Sequence, residues 1–309
     1  MTENLIIYHA NCIDGFTAAW VVERSLGNVE KRLFAAEYGS EPPWELIEAA
    51  HRVIIVDFSY PRAQMEAIAN INDHAGSMIC LDHHATAKAN LDGLSYALFN
   101  DSYCGAKMAY IHFHADHLNA RWLIDRVNDN DTNDTGQRVL PHASEFSALI
   151  GSYPFTLEAY DELNRRMQSA NHELPSTEYY ALVAEGAAIK REQTKRQDAT
   201  VELANAAFLN GSDDERWPAL LANCSDRAMF SSVGVRLARK CGIGGCYFVR
   251  ADGKVEFSLR SLKPDDALKH GVMSIDVSDV AKTHGGGGHK HAAGFVSSVE
   301  ELTRILKER

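Results

Sequence analysis

The sequence lacks the features of several common protein classes. No apolar run is long enough to span a bilayer, which argues against a membrane protein. The N-terminus has neither the basic region nor the cleavage site of a signal peptide. The six cysteines include no CxxC pair and no disulfide-rich spacing. We therefore expect reduced cysteines and a cytoplasmic protein.

Positive charge is also scarce. The 309 residues carry 31 Lys and Arg against 42 Asp and Glu, a formal net charge of −11. This charge argues against a broad basic surface for long nucleic acids, including long duplexes. It is compatible with a small anionic substrate, because bound cations can reverse the local field. The composition is otherwise that of an ordinary globular protein, and the chain is long enough for two domains.

Apolar strands and helical segments alternate in the first part of the chain. Apolar runs at 4–9, 52–57 and 77–82 are separated by helical patterns that include 16–26 and 61–71. Such alternation predicts an α/β fold with a parallel, doubly wound sheet. Right-handed crossovers would place the carboxyl ends of these strands along one edge of the sheet.

Candidate metal ligands follow these strands. They are carboxylates and imidazoles, namely His9, Asp14, Asp57, Asp82, His83 and His84, with Asp129 and Asp131 in an acid-rich loop predicted at 128–134. Such ligands from neighbouring loops suit two divalent cations such as Mn²⁺. A carboxylate on a central strand can bridge two ions, which then activate a water for phosphoryl displacement. Each acid alone could instead cap a helix or turn, but three successive strand ends favour a metal site.

The rest of the chain predicts two further parts. A long, charged helical pattern makes 146–210 a helical connector. It would join a catalytic domain at 1–145 to a smaller α/β domain with a mixed sheet at 211–309. In that last domain, Asp252-Gly253 predicts a hairpin turn.

Two features of the last domain suit an anion. The glycine run Gly285, Gly286, Gly287 and Gly288 precedes His289 and can present a row of backbone N–H groups. Arg260 offers a bidentate guanidinium for phosphate or carboxylate. Taken alone, a glycine run is more often a flexible loop, and an arginine on a strand is more often an ordinary surface residue.

Taken together, these stretches resemble the DHH phosphoesterase superfamily, named for the triplet found here as Asp82-His83-His84. Three further segments of this chain resemble the other N-terminal motifs of that superfamily, namely His9…Asp14-Gly15, Val56-Asp57 and Asn128-Asp129. Segments 258–261 and 285–295 closely resemble the arginine strand and glycine-rich signature of the DHH-associated C-terminal domain. The match spans nearly the whole chain in the expected order. That signature is typical of the nuclease-like branch, so the chain is identified as resembling an oligoribonuclease, or nanoRNase.

The resemblance implies a two-metal site, with Mn²⁺ favoured over Mg²⁺ or Co²⁺. By analogy, His9 and Asp57 would hold one ion. The ligands implied for the other ion are Asp14, Asp57, His83 and Asp129. Asp131 is the alternative to Asp129 as the fourth-motif ligand.

The resemblance also implies how a substrate would bind. His84 would contact the scissile phosphate, and Asp82 would orient the histidines from behind the metals. A terminal phosphate or nucleotide would bind Arg260, the glycine loop at 285–288 and His289.

One position departs from the family pattern. Cys12 stands where much of the family has an aspartate, two residues before Asp14. A thiolate is a soft ligand and a poor choice for Mn²⁺. The first metal site would therefore be weaker, use Asn11 or water, or prefer another metal, unless the turn aligns differently.

We expect a metal-dependent phosphodiesterase that hydrolyses short oligonucleotides or small nucleotides to mononucleotides with metal-activated water. One alternative is a phosphoanhydride hydrolase acting on pyrophosphate or polyphosphate. Another is a non-catalytic nucleotide-binding module with a degenerate metal site, which Cys12 favours. The sequence leaves the physiological substrate, the cleavage direction and the oligomeric state open, a dimer included.

Overall fold

The computed structural model describes residues 3–71, 77–84, 87–132, 139–168, 175–212 and 215–307. Contacts divide the chain into two compact units, 1–190 and 191–309. The three-part division at 145 and 210 stays a prediction. By contacts alone, the helices after residue 145 pack with the first unit as far as residue 190. Within the described residues, no helix combines the length and apolarity needed to cross a bilayer.

The first unit is built on a five-stranded parallel sheet in the order β2-β1-β3-β4-β5. Its strands are β1 (Asn4–His9), β2 (Lys31–Ala36), β3 (Arg52–Val56), β4 (Ile79–Asp82) and β5 (Ala97–Phe99). Residues 53–56 of β3 are fully buried. A parallel strand covered on both faces is expected to be apolar throughout, and this explains the β-branched run in the sequence.

Helices cover both faces of this sheet, so the predicted doubly wound architecture is confirmed. One core contains Phe16 and Trp20, and the other contains Ile47 and Met65. The helices are α1 (Ile13–Ser25), α2 (Trp44–Ala49), α3 (Arg62–Asn70), α4 (Ala87–Leu91), α5 (Gly105–His112), α6 (Arg121–Asp131), α7 (Ala143–Ile150), α8 (Leu157–Met167) and α9 (Thr177–Glu202).

The acid-rich segment predicted as a loop from residue 128 begins as the last turn of α6. The N–H of Thr132 still donates to the carbonyl of Asn128, at 3.0 Å. Ile124 and Val127 are buried in the core, so packing extends the helix through polar residues that favour a loop. Residues 133 and 134 of the predicted loop lie outside the described residues.

The second unit contains a six-stranded mixed sheet in the order β10-β11-β9-β8-β7-β6, in which only β7 and β8 pair in parallel. Its strands are β6 (Asn205–Asn210), β7 (Arg216–Asn223), β8 (Ile243–Val249), β9 (Val255–Ser261), β10 (Gly287–His289) and β11 (Ala292–Ser297). Its remaining helices are α10 (Phe230–Cys241), α11 (Pro264–His270), α12 (Val277–Thr283) and α13 (Val299–Lys307).

Two local predictions for this unit have opposite outcomes. The hairpin is confirmed: β8 and β9 pair antiparallel, and Gly253 takes the left-handed φ of +78° that the turn requires. The prediction of helix through residue 210 is wrong for β6. Antiparallel pairing with β7 and burial of Ala207 and Leu209 in the sheet override the weak local preference of that segment.

Candidate active site

The candidate site lies at the carboxyl edge of the first unit's sheet, where β1 and β3 are neighbours. The chain leaves β1 towards β2 on one side, whereas β3 leads to β4 on the other. Such a reversal of strand order opens a crevice in which α/β proteins bind ligands. His9 ends β1 and Asp57 follows β3, and His9 Nδ1 lies 3.6 Å from Asp57 Oδ2.

Asp57 is the central residue of the site. It is 1% exposed and has a positive φ of 55°. Such a conformation costs a non-glycine residue on the order of 1–3 kcal/mol and is often found at functional sites. A Cβ at Gly105, the first residue of α5, would lie 2.4 Å from Asp57 Cβ. Glycine therefore allows the start of α5 to approach this carboxylate.

Four buried atoms without hydrogen-bond partners converge around Asp57. They are both Asp57 carboxylate oxygens, His9 Nδ1 and His83 Nε2, which face one another and lack a hydrogen-bond partner among the described residues. His83 Nε2 lies 3.1 Å from Asp57 Oδ1. Buried polar atoms are normally paired, so this cluster calls for an explanation. Carboxylate oxygens and imidazole nitrogens arranged in this way fit a divalent cation.

A second group of ligand atoms adjoins the first. Single ligand atoms of Asp14, His83 and Asp131 all lie within 4.8 Å of one another. His83 Nε2 is 3.6 Å from Asp14 Oδ2 and 3.3 Å from Asp131 Oδ2. Asp14 also accepts hydrogen bonds from the backbone N–H groups of Gly105 and Ala106, at 2.7 and 2.8 Å. The N-terminus of α5 thus fixes the position of the Asp14 carboxylate.

Asp131 rather than Asp129 faces this group. The Asp129 carboxylate accepts hydrogen bonds from the backbone N–H groups of Val139 and Leu140, at 2.8 and 3.3 Å. Residues two positions apart point about 200° apart around a helix axis. Because α6 continues through Asp131, the side chains of Asp129 and Asp131 point in different directions and contact different groups.

The three carboxylates influence one another electrostatically. Burial raises the pKa of Asp14 well above its ordinary value, and the charges of Asp57 and Asp131 raise it further. Burial also acts to raise the pKa of Asp57, but the imidazoles of His83 and His9 outweigh it and hold that pKa low. A bound cation would relieve this crowding of acids, and this again fits a metal site.

Asp82 and His84 form a pair at the end of β4. Asp82 is fully buried, and its Oδ1 lies 2.8 Å from His84 Nδ1 and 3.0 Å from the His84 backbone nitrogen, which donates to it. Burial acts to lower the pKa of His84, but the bond to Asp82 and the charge of Asp57 outweigh it, so the pKa is raised. The described residues show no such bond between Asp82 and His83.

Cys12 and Tyr38 also adjoin the site. Single ligand atoms of His9, Cys12 and Asp57 lie within 4.8 Å of one another. Tyr38 is 50% exposed, and its ring centroid lies 5.1 Å from that of His9 and 5.7 Å from that of His84. No pattern in the sequence points to Tyr38, because only the strand order places the segment after β2 beside β1.

The second unit brings the predicted anion-binding elements together. Arg260, Ser258 and the glycines at 285–288 line one cavity of about 540 Å³. Burial lowers the pKa of Arg260, and its guanidinium donates only to neutral groups in the described part of the chain. A Cβ at Gly234 on α10 would lie 2.8 Å from Arg260 Cγ, so glycine makes room for the arginine. His289 is exposed and does not line this cavity.

A ring stack beneath the glycine run was missed from the sequence. Phe295 stacks between Phe257 and His284, with ring-centroid distances of 4.4 and 4.5 Å. A Cβ at Gly286 would lie 2.5 Å from Phe295 Cβ. The glycine therefore lets the backbone lie close against the stack. Residues so far apart in the chain leave no local pattern, although the antiparallel pairing of β9 and β11 places two of them side by side.

No protein-family model and no curated protein matches the sequence. The pGpG-specific phosphodiesterase PggH from Vibrio cholerae is similar in structure, with 12% identity and a TM-score of 0.50 over 98% of this chain and 96% of that one. RecJ from Thermus thermophilus in complex with Mn²⁺ has 17% identity and a TM-score of 0.49 over 97% of this chain and 50% of that one. An uncharacterized protein from Helicobacter pylori has 16% identity and a TM-score of 0.41 over 97% and 94%.

At these identities the likeness concerns the fold alone, and it rests on the first of the three structures. The same fold was expected from the Asp82-His83-His84 triplet and its accompanying motifs. The chain therefore shares the fold of the pGpG-specific phosphodiesterase.

Proposed function

We propose that the chain is a metal-dependent phosphodiesterase that hydrolyses short oligonucleotides or small nucleotides to mononucleotides. The observation that carries this proposal is the cluster of unpartnered buried atoms from His9, Asp57 and His83 at the carboxyl edge of a parallel sheet. When bound, a pair of divalent cations such as Mn²⁺, Mg²⁺ or Co²⁺ would supply an activated water and neutralise charge on the phosphate.

The residues present would hold two such ions around Asp57. His9 and Asp57 would hold the first. The second would be held by Asp14, Asp57, His83 and Asp131. We propose Asp131 in place of Asp129 because the Asp129 oxygens already accept two backbone hydrogen bonds. Asp57 is proposed to bridge the ions because both of its oxygens lack hydrogen-bond partners among the described residues.

His84 is proposed to contact the scissile phosphate. Asp82 engages Nδ1 of the ring at 2.8 Å, and this favours a proton on that nitrogen and fixes the ring orientation. The His84 side chain is 31% exposed, so it is accessible to a ligand. Asp82 would act as a positioning residue, since it is fully buried and touches the imidazole rather than the substrate.

Arg260 and the glycine run at 285–288 are proposed to bind a terminal phosphate or nucleotide. A half-buried guanidinium without an ion-pair partner among the described residues favours an anionic ligand. His289 remains a candidate contact beside this run.

Short substrates are favoured because the elements that could bind phosphate are few and the net charge is −11. The similar structure of PggH, a pGpG-specific phosphodiesterase, supports a small nucleotide as substrate. The cytoplasm is the proposed compartment, because the cysteine spacing in the sequence is not that of a disulfide-rich protein.

The test is hydrolysis of an aryl phosphodiester and of a 5′-labelled RNA length series, with Mn²⁺ or with a chelator. We expect metal-dependent cleavage, and kcat/KM that is highest at about two to five nucleotides, because few phosphates can be contacted. Turnover of pyrophosphate or polyphosphate alone would identify a phosphoanhydride hydrolase. Nucleotide binding without turnover at any metal concentration would identify a non-catalytic binding module.

A further inference from the structure

The Cys12 thiol is not used in capping the helix that it precedes. Cys12 is the N-cap residue of α1, where a polar side chain commonly accepts a hydrogen bond from the helix. Its side chain makes no such bond within the described helix, and its backbone carbonyl accepts from the N–H of Phe16 at 3.0 Å. Cys12 lines a cavity of about 380 Å³ together with His9 and Asp14. Cys12 therefore lies at a cavity that two candidate metal ligands also line.

The ligand atoms beside the thiol give an independent reason to consider a metal. Asp57 is 1% exposed, and both of its oxygens lack partners among the described residues, as does the buried Nδ1 of His9. Single ligand atoms of Cys12, His9 and Asp57 lie within 4.8 Å of one another. A thiol, an imidazole and a carboxylate at this spacing can ligate a single cation.

Two of the three candidate ligand groups at the site differ in chemical softness. The group with Cys12 offers sulfur, nitrogen and oxygen. The group of Asp14, His83 and Asp131 offers one nitrogen and two carboxylates. Thiolate and imidazole favour Zn²⁺, Co²⁺ or Fe²⁺, whereas carboxylates suit Mn²⁺ and Mg²⁺.

We propose that Cys12 Sγ is a metal ligand and that the two cation sites are chemically unequal. The site of His9, Cys12 and Asp57 takes a softer cation of the Zn²⁺ or Co²⁺ type in preference to Mn²⁺. The site of Asp14, His83 and Asp131 keeps the preference for Mn²⁺ or Mg²⁺. The inference rests on the metal centre of the proposed function. It means that the cysteine at position 12, in place of the aspartate of the family pattern, determines which metal binds.

The test is titration of the metal-free protein with Co²⁺, followed by near-ultraviolet absorption. A thiolate ligand gives a sulfur-to-cobalt charge-transfer band that oxygen and nitrogen ligands do not give. We expect the band to saturate at one Co²⁺ per chain. Cys12→Ser should lose the band and still bind Co²⁺ at the second site. The control is Cys241→Ser, which should keep the band, because that thiol donates to the carbonyl of Ile243 at 3.0 Å in the other unit.

A second variant tests selectivity without removing the ligand position. Cys12→Asp should lower the ratio of Zn²⁺ to Mn²⁺ affinity by roughly tenfold or more, since an oxygen replaces the sulfur. Competition between the two ions in equilibrium dialysis measures this ratio directly. An unchanged ratio in a folded Cys12→Asp protein would overturn the inference.

The outcomes separate this inference from the proposed function. Co²⁺ binding without the band, together with metal-dependent hydrolysis, overturns ligation by Cys12 and leaves the phosphodiesterase proposal standing. The band without hydrolysis of any phosphodiester supports ligation and overturns the activity. Failure of the wild-type protein to bind Co²⁺ overturns ligation by Cys12, and hydrolysis with Mn²⁺ then decides the activity separately.

Discussion

The two units contain candidate binding sites of opposite chemistry. In the first unit, carboxylates and imidazoles cluster at the end of a parallel sheet, with Asp57 and its unpartnered oxygens at the centre. In the second, the half-buried Arg260 and four glycines line a cavity of about 540 Å³. The first group suits a cation and the second suits an anion. Each chemistry is one by which proteins bind phosphate, whose oxygens bind a guanidinium directly and acidic residues through bound cations.

Glycine also serves opposite purposes at Gly105 in the first unit and Gly287 in the second. A Cβ at Gly105 would lie 2.9 Å from Asp57 Cα, so this glycine brings two pieces of protein together. A Cβ at Gly287 would meet nothing within 4 Å, so that glycine faces open space. The comparison shows that a glycine in a site can provide either close packing or access for a ligand, and only the structure tells the two apart.

The largest expected effect comes from removing the negative charge at the centre of the first site. Asp57→Asn should lower kcat/KM by roughly 10³-fold or more, because metal stabilisation of a phosphoryl transition state is worth several kcal/mol. Asparagine tolerates the left-handed φ of residue 57 better than most residues, so the fold should persist. Steady-state kinetics measures the change in kcat/KM, and circular dichroism checks that the variant is folded. Full activity in the folded variant would sink the two-metal proposal.

The next largest effect is expected at the candidate anion site of the second unit. Arg260→Ala should raise KM by roughly 10- to 100-fold, since hydrogen bonds to charged groups contribute about 1.5–3 kcal/mol. The value of kcat should change little, because this contact is proposed at the far end of the substrate. The control is Arg250→Ala, which removes an exposed arginine paired with Asp252. Equal KM values for the two variants would show that Arg260 does not bind the substrate.

The third prediction sharpens the contrast between glycines. Gly105→Ala should destabilise the protein by about 1–3 kcal/mol, the usual cost of overpacking, and should weaken metal binding by displacing Asp57. Gly287→Ala should stay within about 0.5 kcal/mol of the wild type, as is usual for an open surface position. Denaturant unfolding of the two variants measures the difference. A fully stable Gly105→Ala protein with unchanged metal affinity would contradict the close approach at Asp57.

The smallest expected effects separate two acids of the same helix. Asp131→Asn should weaken divalent-cation affinity by about tenfold, a change comparable with other losses around metal sites. Asp129→Asn should instead cost about 1 kcal/mol of stability, because its two oxygens accept backbone hydrogen bonds. Calorimetric metal titration and thermal unfolding measure the two quantities. The reverse pattern would assign the metal to Asp129.

Much of the fold could be predicted because its signals are local. The continuous apolar run of β3 predicts a strand buried on both faces, and Asp252-Gly253 predicts the hairpin. The strand ends predicted at one edge include His9 and Asp57, which the structure places 3.6 Å apart. These inferences need only the periodicity of the chain and the handedness of crossovers.

The remaining features depend on long-range packing. The choice between Asp129 and Asp131 depends on how far α6 extends, and buried contacts of Ile124 and Val127 decide that length. Tyr38 approaches His9 only because β1 lies between β2 and β3. No local pattern encodes either arrangement.

The most direct test of the central claim is anomalous X-ray diffraction from crystals of the protein grown with Co²⁺. The account predicts two ions about 3.5–4 Å apart, a spacing typical of two-metal phosphoesterases, with Asp57 between them. Ions found elsewhere, or Asp57 oxygens hydrogen-bonded to protein in a metal-loaded crystal, would contradict it.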